Sequence, residues 1–146
     1  MHHHLFPNDE LLPRHRVAAL LGAASVRRAR SRWESLRFAW QGLCEAWQTQ
    51  PNLRLHALAG AAVVGLGVWC RLALMEWMWV IVAIGLVVFA ELMNTAIEQT
   101  IDLVVGAQFD PHARRAKDLS AGFVLVAAAN AVVIGAVTLG PHLLKG

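Results

Sequence analysis

Three carboxylates and one amide share a face of the helix predicted for residues 91–102. At 100° per residue, the side chains of Glu91, Asn94, Glu98 and Asp102 fall within about 80° of one another. The apolar run 77–90 directly precedes them, so the polar face begins inside or at the edge of a membrane. A charge facing lipid costs about 2.5–3.5 kcal/mol, and these carboxylates should therefore face protein, water or a cation. The pattern favours a functional site over a merely solvated helix end.

The chemistry that suits these residues is a metal-assisted phosphoryl transfer. Carboxylates hold Mg²⁺ through one or two oxygens while nucleotide phosphates complete its shell, and a lysine such as Lys117 neutralises charge on the transferring group. Glu91 would lie deepest in the membrane, and Glu98 about 10 Å nearer the surface. We therefore expect a lipid hydroxyl at the level of Glu91 and ATP at the level of Glu98. The chain has no glycine-rich nucleotide-binding loop.

The composition predicts an all-α integral membrane protein. The 146 residues are 57% hydrophobic with a formal net charge of +3, which suits one small domain. Three apolar runs are near the roughly 20 residues needed to cross a bilayer. They cover residues 53–70, 72–90 with a helical continuation to about 105, and 119–139. These runs exclude a soluble binding module, and nothing in the sequence indicates a nucleic-acid partner.

The chain before the first span divides into two parts. Residues 1–30 are predicted to form a basic flexible arm, and the membrane domain is predicted to occupy residues 31–146. Within it, residues 31–49 form an amphipathic helix whose apolar residues recur at alternating spacings of three and four: Trp33, Leu36, Trp40, Leu43 and Trp47. Tryptophan on one face and arginine on another favour the membrane interface over a coiled-coil seam. Pro51 should end this helix, and Asn52 is expected to cap the next one.

The distribution of basic residues predicts the orientation. Seven arginines precede the first span, and Arg114, Arg115 and Lys117 lie between the second and third. The positive-inside rule then places the N-terminus in the cytoplasm and the C-terminus outside. Small residues at four-residue spacing predict close helix packing or oligomerisation. They are Ala57, Ala61 and Gly65 in the first span, and Ala127, Ala131 and Gly135 in the third.

In combination, two motifs resemble the prokaryotic diacylglycerol kinase family, which also contains undecaprenol kinases. The first is Glu91-Leu92-Met93-Asn94-Thr95-Ala96-Ile97-Glu98 with Asp102, and the second is Ala116-Lys117-Asp118 before a small-residue span. The resemblance covers roughly residues 33–139. It implies a homotrimeric enzyme of the bacterial inner membrane that transfers the γ-phosphoryl group of Mg-ATP to a lipid hydroxyl at the cytoplasmic interface.

The resemblance also implies roles for individual residues. Glu91 would be the general base, and Glu98 would bind both the metal and ATP. The other ATP-binding residues implied are Asn94, Asp102, Phe109, Asp110, Lys117 and Asp118. The lipid-binding residues implied, besides Glu91, are Asn52, Arg54, His56 and Trp69.

Two positions depart from the family pattern. Gln50 stands where the family commonly has a second acidic metal ligand, and its carbonyl can still coordinate Mg²⁺ without adding charge. Phe109-Asp110 stands where the family usually has an aromatic-His pair near the adenine.

An alternative from another functional class is a non-enzymatic three-helix membrane protein, either an assembly factor or an ion conduit. A conduit would need partner acids in the other half of the membrane, whereas these acids lie at one face. An assembly role would not require the Lys117-Asp118 pair, because helix packing does not need it. Whether the acceptor is diacylglycerol or undecaprenol stays open at this stage.

Overall fold

The computed structural model describes residues 31–106 and 108–145, which form four α-helices. They are α1 (Arg32–Thr49), α2 (Pro51–Trp69), α3 (Leu74–Val105) and α4 (Pro111–Lys145). The predicted arm at residues 1–30 lies outside the described residues. The chain divides after Ala39, within α1, into two compact units. The first two turns of α1 belong to the first unit. The rest of α1 and helices α2 to α4 belong to the second unit.

Helices α2, α3 and α4 are long and apolar enough to cross a membrane, which confirms the prediction of three spans. The short links between the three long helices make α2 and α3, and α3 and α4, antiparallel neighbours, and α3 packs most extensively along α4 and less extensively along α2. One cluster of buried residues joins Leu72, Val80 and Leu139, and another joins Val87, Ala90 and Ala127. Helix α3 therefore lies between its two neighbours and carries most of the packing.

The helix boundaries differ from the predicted ones at two places. Helix α2 begins at Pro51 with Gln50 as its N-cap, so Asn52 lies inside the helix and does not cap it. Proline fits the first helical position because the amide it lacks would have no partner there. Helix α4 begins at Pro111, eight residues before the predicted start of the span, because Asp110 accepts hydrogen bonds from the amides of His112 and Ala113. Lys117 and Asp118, which precede the predicted span, consequently lie on α4.

The turn between α2 and α3 is a Schellman motif. The amides of Arg71 and Leu72 donate to the carbonyls of Val68 and Gly67, and Arg71 has a φ of 54°. This pattern satisfies the last carbonyls of α2. At the same end of the molecule, Glu76 Oε1 lies 2.9 Å from His142 Nε2, and Glu76 Oε2 accepts a bond from the Ala73 amide. This pair joins the start of α3 to the end of α4.

The small residues that contact a neighbouring helix are only partly those predicted. Ala127 is buried and Ala131 packs against its cluster, as the spacing in α4 indicated. In α2 the buried glycines are Gly60 and Gly67, whereas a Cβ on Gly65 would meet nothing within 4 Å. The face of α2 that packs on α3 is thus offset from the predicted one.

We predict opposite effects for alanine at two glycines of α2. A Cβ on Gly67 would lie 2.9 Å from the Trp77 ring and 3.0 Å from Leu72 Cδ1. Overpacking of this kind costs about 1–3 kcal/mol, more than the roughly 0.5–1 kcal/mol that alanine gains over glycine in a helix. Gly67→Ala should therefore lower the free energy of unfolding in detergent micelles, and the control Gly65→Ala should leave it unchanged or raise it. Equal free energies in the two variants would contradict the observed α2–α3 contact.

Candidate functional site

The predicted polar face of α3 exists and runs from a buried end to an exposed end. Glu91 is 4% exposed and Asn94 is also buried, whereas Glu98 is half-buried and Asp102 is exposed. Between Glu91 and Asp102 the helix rises by about 16 Å. The four side chains therefore occupy successive depths along one helix, and each has a partner.

Glu91 lies in a pocket of about 360 Å³, termed here the Glu91 pocket. Its walls come from α2, α3 and α4 and comprise Asn52, His56, Glu91, Asn94, Ala121, Val124, Leu125 and Ala128. The carboxylate Oε1 lies 3.2 Å from His56 Nε2. An apolar groove of about 330 Å³ adjoins the pocket and shares His56 and Ala128 with it. A pocket that contains two ionisable side chains thus adjoins an apolar groove between the three long helices.

Asn94 and Glu98 belong to a network that reaches α4. Asn94 Nδ2 donates to Glu98 Oε1 at 3.1 Å, and Asn94 Oδ1 lies 2.6 Å from the Ser120 hydroxyl. Ser120 is 1% exposed, and its hydroxyl also lies 2.8 Å from the Lys117 carbonyl. Because a hydroxyl has a single proton, Ser120 donates to one of these oxygens at a time. A bond to Oδ1 fixes the Asn94 amide so that its nitrogen faces Glu98.

The exposed end of the face borders a second cavity, the Lys117 cleft, of about 420 Å³. It is lined by Asp102, Val105, Gly106, Gln108, Phe109, Asp110, Ala113, Arg114, Lys117 and Asp118. The Lys117 ammonium forms an ion pair with Asp102 across the two helices. Arg114 lies 3.7 Å from Asp118 one turn away, an exposed pair of little energetic weight. The cleft contains two cationic side chains, Arg114 and Lys117, and three carboxylates, Asp102, Asp110 and Asp118. The exposed Phe109 ring borders it.

Asp110 has a structural role at this cleft. Its Oδ1 accepts bonds from the amides of Ala113 at 2.9 Å and His112 at 2.7 Å. The bond from Ala113, which has the larger effect, and the bond from His112 lower the pKa of the Asp110 carboxyl below its ordinary value. Asp110 therefore stays ionised at neutral pH and holds the start of α4.

The structure gathers most of the predicted site residues into these two cavities. The Lys117 cleft contains five predicted nucleotide-binding residues: Asp102, Phe109, Asp110, Lys117 and Asp118. The Glu91 pocket contains Asn52, His56, Glu91 and Asn94. Arg54 is exposed and borders neither cavity, and Trp69 lies at the far end of α2, about 20 Å along the helix from His56. For the Gln50 side chain, the described residues provide no hydrogen-bond partner.

Sequence reasoning missed Ser120. It lies 26 residues from Asn94 in sequence, and the periodicity of α3 carries no information about its partners. The available signal was a small hydroxyl residue three positions after Lys117, at the start of an apolar span.

We predict that Ser120→Ala destabilises the protein. It removes the donor to the Asn94 Oδ1 atom, and an unsatisfied buried acceptor costs about 1–3 kcal/mol. The control Thr138→Val removes a buried hydroxyl from the same helix, but one whose contacts are carbonyls of its own helix. The free energy of unfolding in micelles should fall more for Ser120→Ala than for Thr138→Val. A loss no greater than that of the control would show that the bond to Asn94 contributes nothing.

Comparison with known proteins shows which family this sequence resembles. The model of the family "Prokaryotic diacylglycerol kinase" matches residues 37–139. A diacylglycerol kinase of Synechocystis sp. is 40% identical over 111 residues, which cover 76% of this chain and 63% of that protein. An undecaprenol kinase of Bacillus subtilis is 38% identical over 111 residues, which cover 76% of this chain and 89% of that protein. A diacylglycerol kinase of Escherichia coli is 29% identical over 105 residues, 72% of this chain and 85% of that protein. Since the family match spans well over half of the sequence, the chain belongs to the prokaryotic diacylglycerol kinase family.

Proposed function

We propose that this protein is an inner-membrane lipid kinase that transfers the γ-phosphoryl group of Mg-ATP to the hydroxyl of diacylglycerol or undecaprenol. The observation that carries the proposal is the arrangement of α3. One helix presents a buried carboxylate in a pocket that adjoins an apolar groove, and about 16 Å further along it presents an ion-paired acid in an open, charged cleft. The relatives named diacylglycerol kinase and undecaprenol kinase support the same chemistry.

Glu91 would act as the general base at the lipid end. Its Oε1 is engaged by His56, and no hydrogen bond to its Oε2 is present among the described residues. A carboxylate within hydrogen-bond reach of an acceptor hydroxyl can take its proton as the oxygen attacks phosphorus. The adjoining groove would receive the apolar tail, and Asn52 would contact the polar end of the lipid. Arg54 and Trp69 stay predicted lipid contacts outside this pocket.

The Lys117 cleft would bind the nucleotide. Lys117 would contact phosphoryl oxygens while Asp102 holds its ammonium in place, since the two already form an ion pair. Phe109, which is 77% exposed, offers a ring for stacking against adenine. Asp118 and Asp110 would border the ribose end. Asn94 would orient Glu98 from between the two cavities.

The residues present fit a bound magnesium ion. No group of three or more His, Cys, Asp or Glu side chains in the described part of the chain could hold a metal by itself. Mg²⁺ in kinases needs only one or two carboxylates because substrate phosphates complete its shell. Glu98 would supply the carboxylate and Gln50 a neutral carbonyl. When bound, the ion neutralises charge that develops on the phosphates.

We further propose the orientation and assembly that complete the enzyme. Arg114, Arg115 and Lys117 at the start of α4 favour a cytoplasmic location for the α3–α4 link and for the N-terminus. The exposed Trp33, Trp40 and Trp47 favour a surface position for α1 at the membrane interface. Residues 31–146 would form the kinase domain, with residues 1–30 as an arm. By analogy with the family, the chain would act as a homotrimer whose sites lie between subunits.

A transfer assay tests the proposed function. Purified protein in mixed micelles receives ATP labelled at the γ-phosphate, with undecaprenol or dioleoylglycerol as acceptor. We expect labelled lipid phosphate from at least one acceptor, and the ratio of the two rates identifies the substrate. Absence of transfer to either lipid from correctly folded protein would refute the kinase proposal and favour an assembly or conduit role.

Glu91→Gln should lower turnover by at least about 10², the usual scale for losing a general base. Glutamine retains the shape of the side chain but cannot accept the proton, so folding and ATP binding should change little. Turnover and ATP affinity are measured on the same micellar preparation. A variant that keeps more than half of the wild-type rate would exclude Glu91 as the base.

Lys117→Arg should lose most of the turnover while expression and assembly stay normal. Arginine keeps the positive charge and can still pair with Asp102, but its wide fork cannot replace a compact ammonium against a phosphoryl oxygen. The control Arg115→Ala removes a neighbouring exposed charge that does not border the cleft and should be mild. Wild-type activity in Lys117→Arg would mean that Lys117 serves only the membrane orientation.

A further inference from the structure

His56 of α2 and Glu91 of α3 form a contact between the two helices at the Glu91 pocket. Nε2 of His56 lies 3.2 Å from Oε1 of Glu91, with side-chain exposures of 25% and 5%. Among the residues lining the Glu91 pocket, these two are the ionisable ones. The wall contributed by α4 consists of Ala121, Val124, Leu125 and Ala128.

This pocket gives the carboxylate little other support. A buried carboxylate is costly unless it is paired or hydrogen-bonded. The hydroxyl of Thr95, one turn further along α3, donates to the backbone carbonyl of Glu91 and not to its side chain. Within the described residues, His56 is the one side chain that pairs with the Glu91 carboxylate, with Nε2 at 3.2 Å from Oε1. The imidazole therefore decides where Oε1 lies and leaves Oε2 available.

The packing of α2 holds His56 in this position. Leu53 and Gly60, one turn before and one turn after His56, are both buried. A Cβ on Gly60 would lie 3.3 Å from Ile84, so the two helices approach closely at this point. His56 thus lies on the contact face of α2, at the junction of the Glu91 pocket and the apolar groove.

We infer that His56 is a positioning residue for the base. In this proposal the His56 ring, with a proton on Nε2, holds Oε1 by the 3.2 Å contact and presents Oε2 of Glu91 to the lipid hydroxyl. The hydroxyl proton passes to Oε2 as the hydroxyl oxygen bonds to the γ-phosphorus, and ADP leaves with the electron pair of the broken P–O bond. This inference rests on the proposed role of Glu91 and adds that the role depends on a residue of another helix.

A double-mutant cycle tests the inference, with kcat and the KM for lipid measured for wild type, His56→Ala, Glu91→Gln and the double variant. His56→Ala should lower kcat by about 10- to 100-fold, the value of a hydrogen bond to a charged group, with little change in KM. In the Glu91→Gln background the same substitution should have almost no further effect, because the two residues act as one unit. His56→Gln, which keeps an N–H donor, should recover much of the rate.

His142→Ala is the matched control, because it breaks the other His–Glu contact between helices, 2.9 Å long and at the opposite end of α3. Its kcat should stay near that of wild type. The inference is overturned if the effects of His56→Ala and Glu91→Gln multiply, if His56→Ala changes only the KM for lipid, or if His56→Gln is as slow as His56→Ala. Multiplying effects with an inactive Glu91→Gln would refute the inference and leave the proposed function standing. A fully active Glu91→Gln would refute both the inference and the proposed role of Glu91 as the base, whereas the kinase function itself fails only if the wild-type protein transfers no phosphate.

Discussion

A carboxylate held among apolar helices is the constraint on which the rest of the site depends. Glu91 is almost fully buried, and it persists in that environment because α2 supplies His56 as a partner. Such a contact requires α2 to pack closely on α3, which the missing side chains of Gly60 and Gly67 permit. Removing a partner from a buried polar pair usually costs more than the pair itself contributes. The close packing of α2 and α3 and the placement of the buried acid are therefore parts of one arrangement.

The other polar residues of α3 continue this arrangement toward the surface. Asn94 is fixed by Ser120, and Asp102 pairs with Lys117, so α4 supplies the partners at the middle and exposed levels while α2 supplies the partner at the buried level. The three levels differ in burial and therefore in the kind of ligand that each could bind. Under the proposed function, the buried level would receive a hydroxyl carried on an apolar tail, and the exposed level would receive charged phosphates. In the proposed enzyme, α3 alone would bring a membrane-bound acceptor and a water-soluble donor to one polar face.

Much of this was predictable from the sequence, for identifiable physical reasons. Long apolar runs predict spans, and the spacing of Glu91, Asn94, Glu98 and Asp102 predicts one polar face, because both depend only on the geometry of a single helix. Contacts between helices were not predictable in the same way: Ser120 is 26 residues from Asn94, and His142 is 66 residues from Glu76. The early start of α4 was missed because Asp110 was considered only as a nucleotide contact, although an Asp-Pro pair is also a helix-start signal. The face of α2 was mispredicted because Gly60 and Gly67, the glycines that contact α3, lie outside the four-residue series of Ala57, Ala61 and Gly65.

In the proposed enzyme, the two ends of the polar face lie at different depths, one in the hydrocarbon and one in water. Phe89 and Leu103 are both exposed on α3 and are separated by about 21 Å along the helix. Spin labels attached to Phe89→Cys and Leu103→Cys, in a chain whose Cys44 and Cys70 are replaced by serine, report depth through collisions with oxygen and with a water-soluble nickel chelate in lipid bilayers. The difference in depth predicts that the label at position 89 collides mainly with oxygen and the label at position 103 mainly with the nickel chelate. Equal accessibility to the chelate at both positions would contradict it.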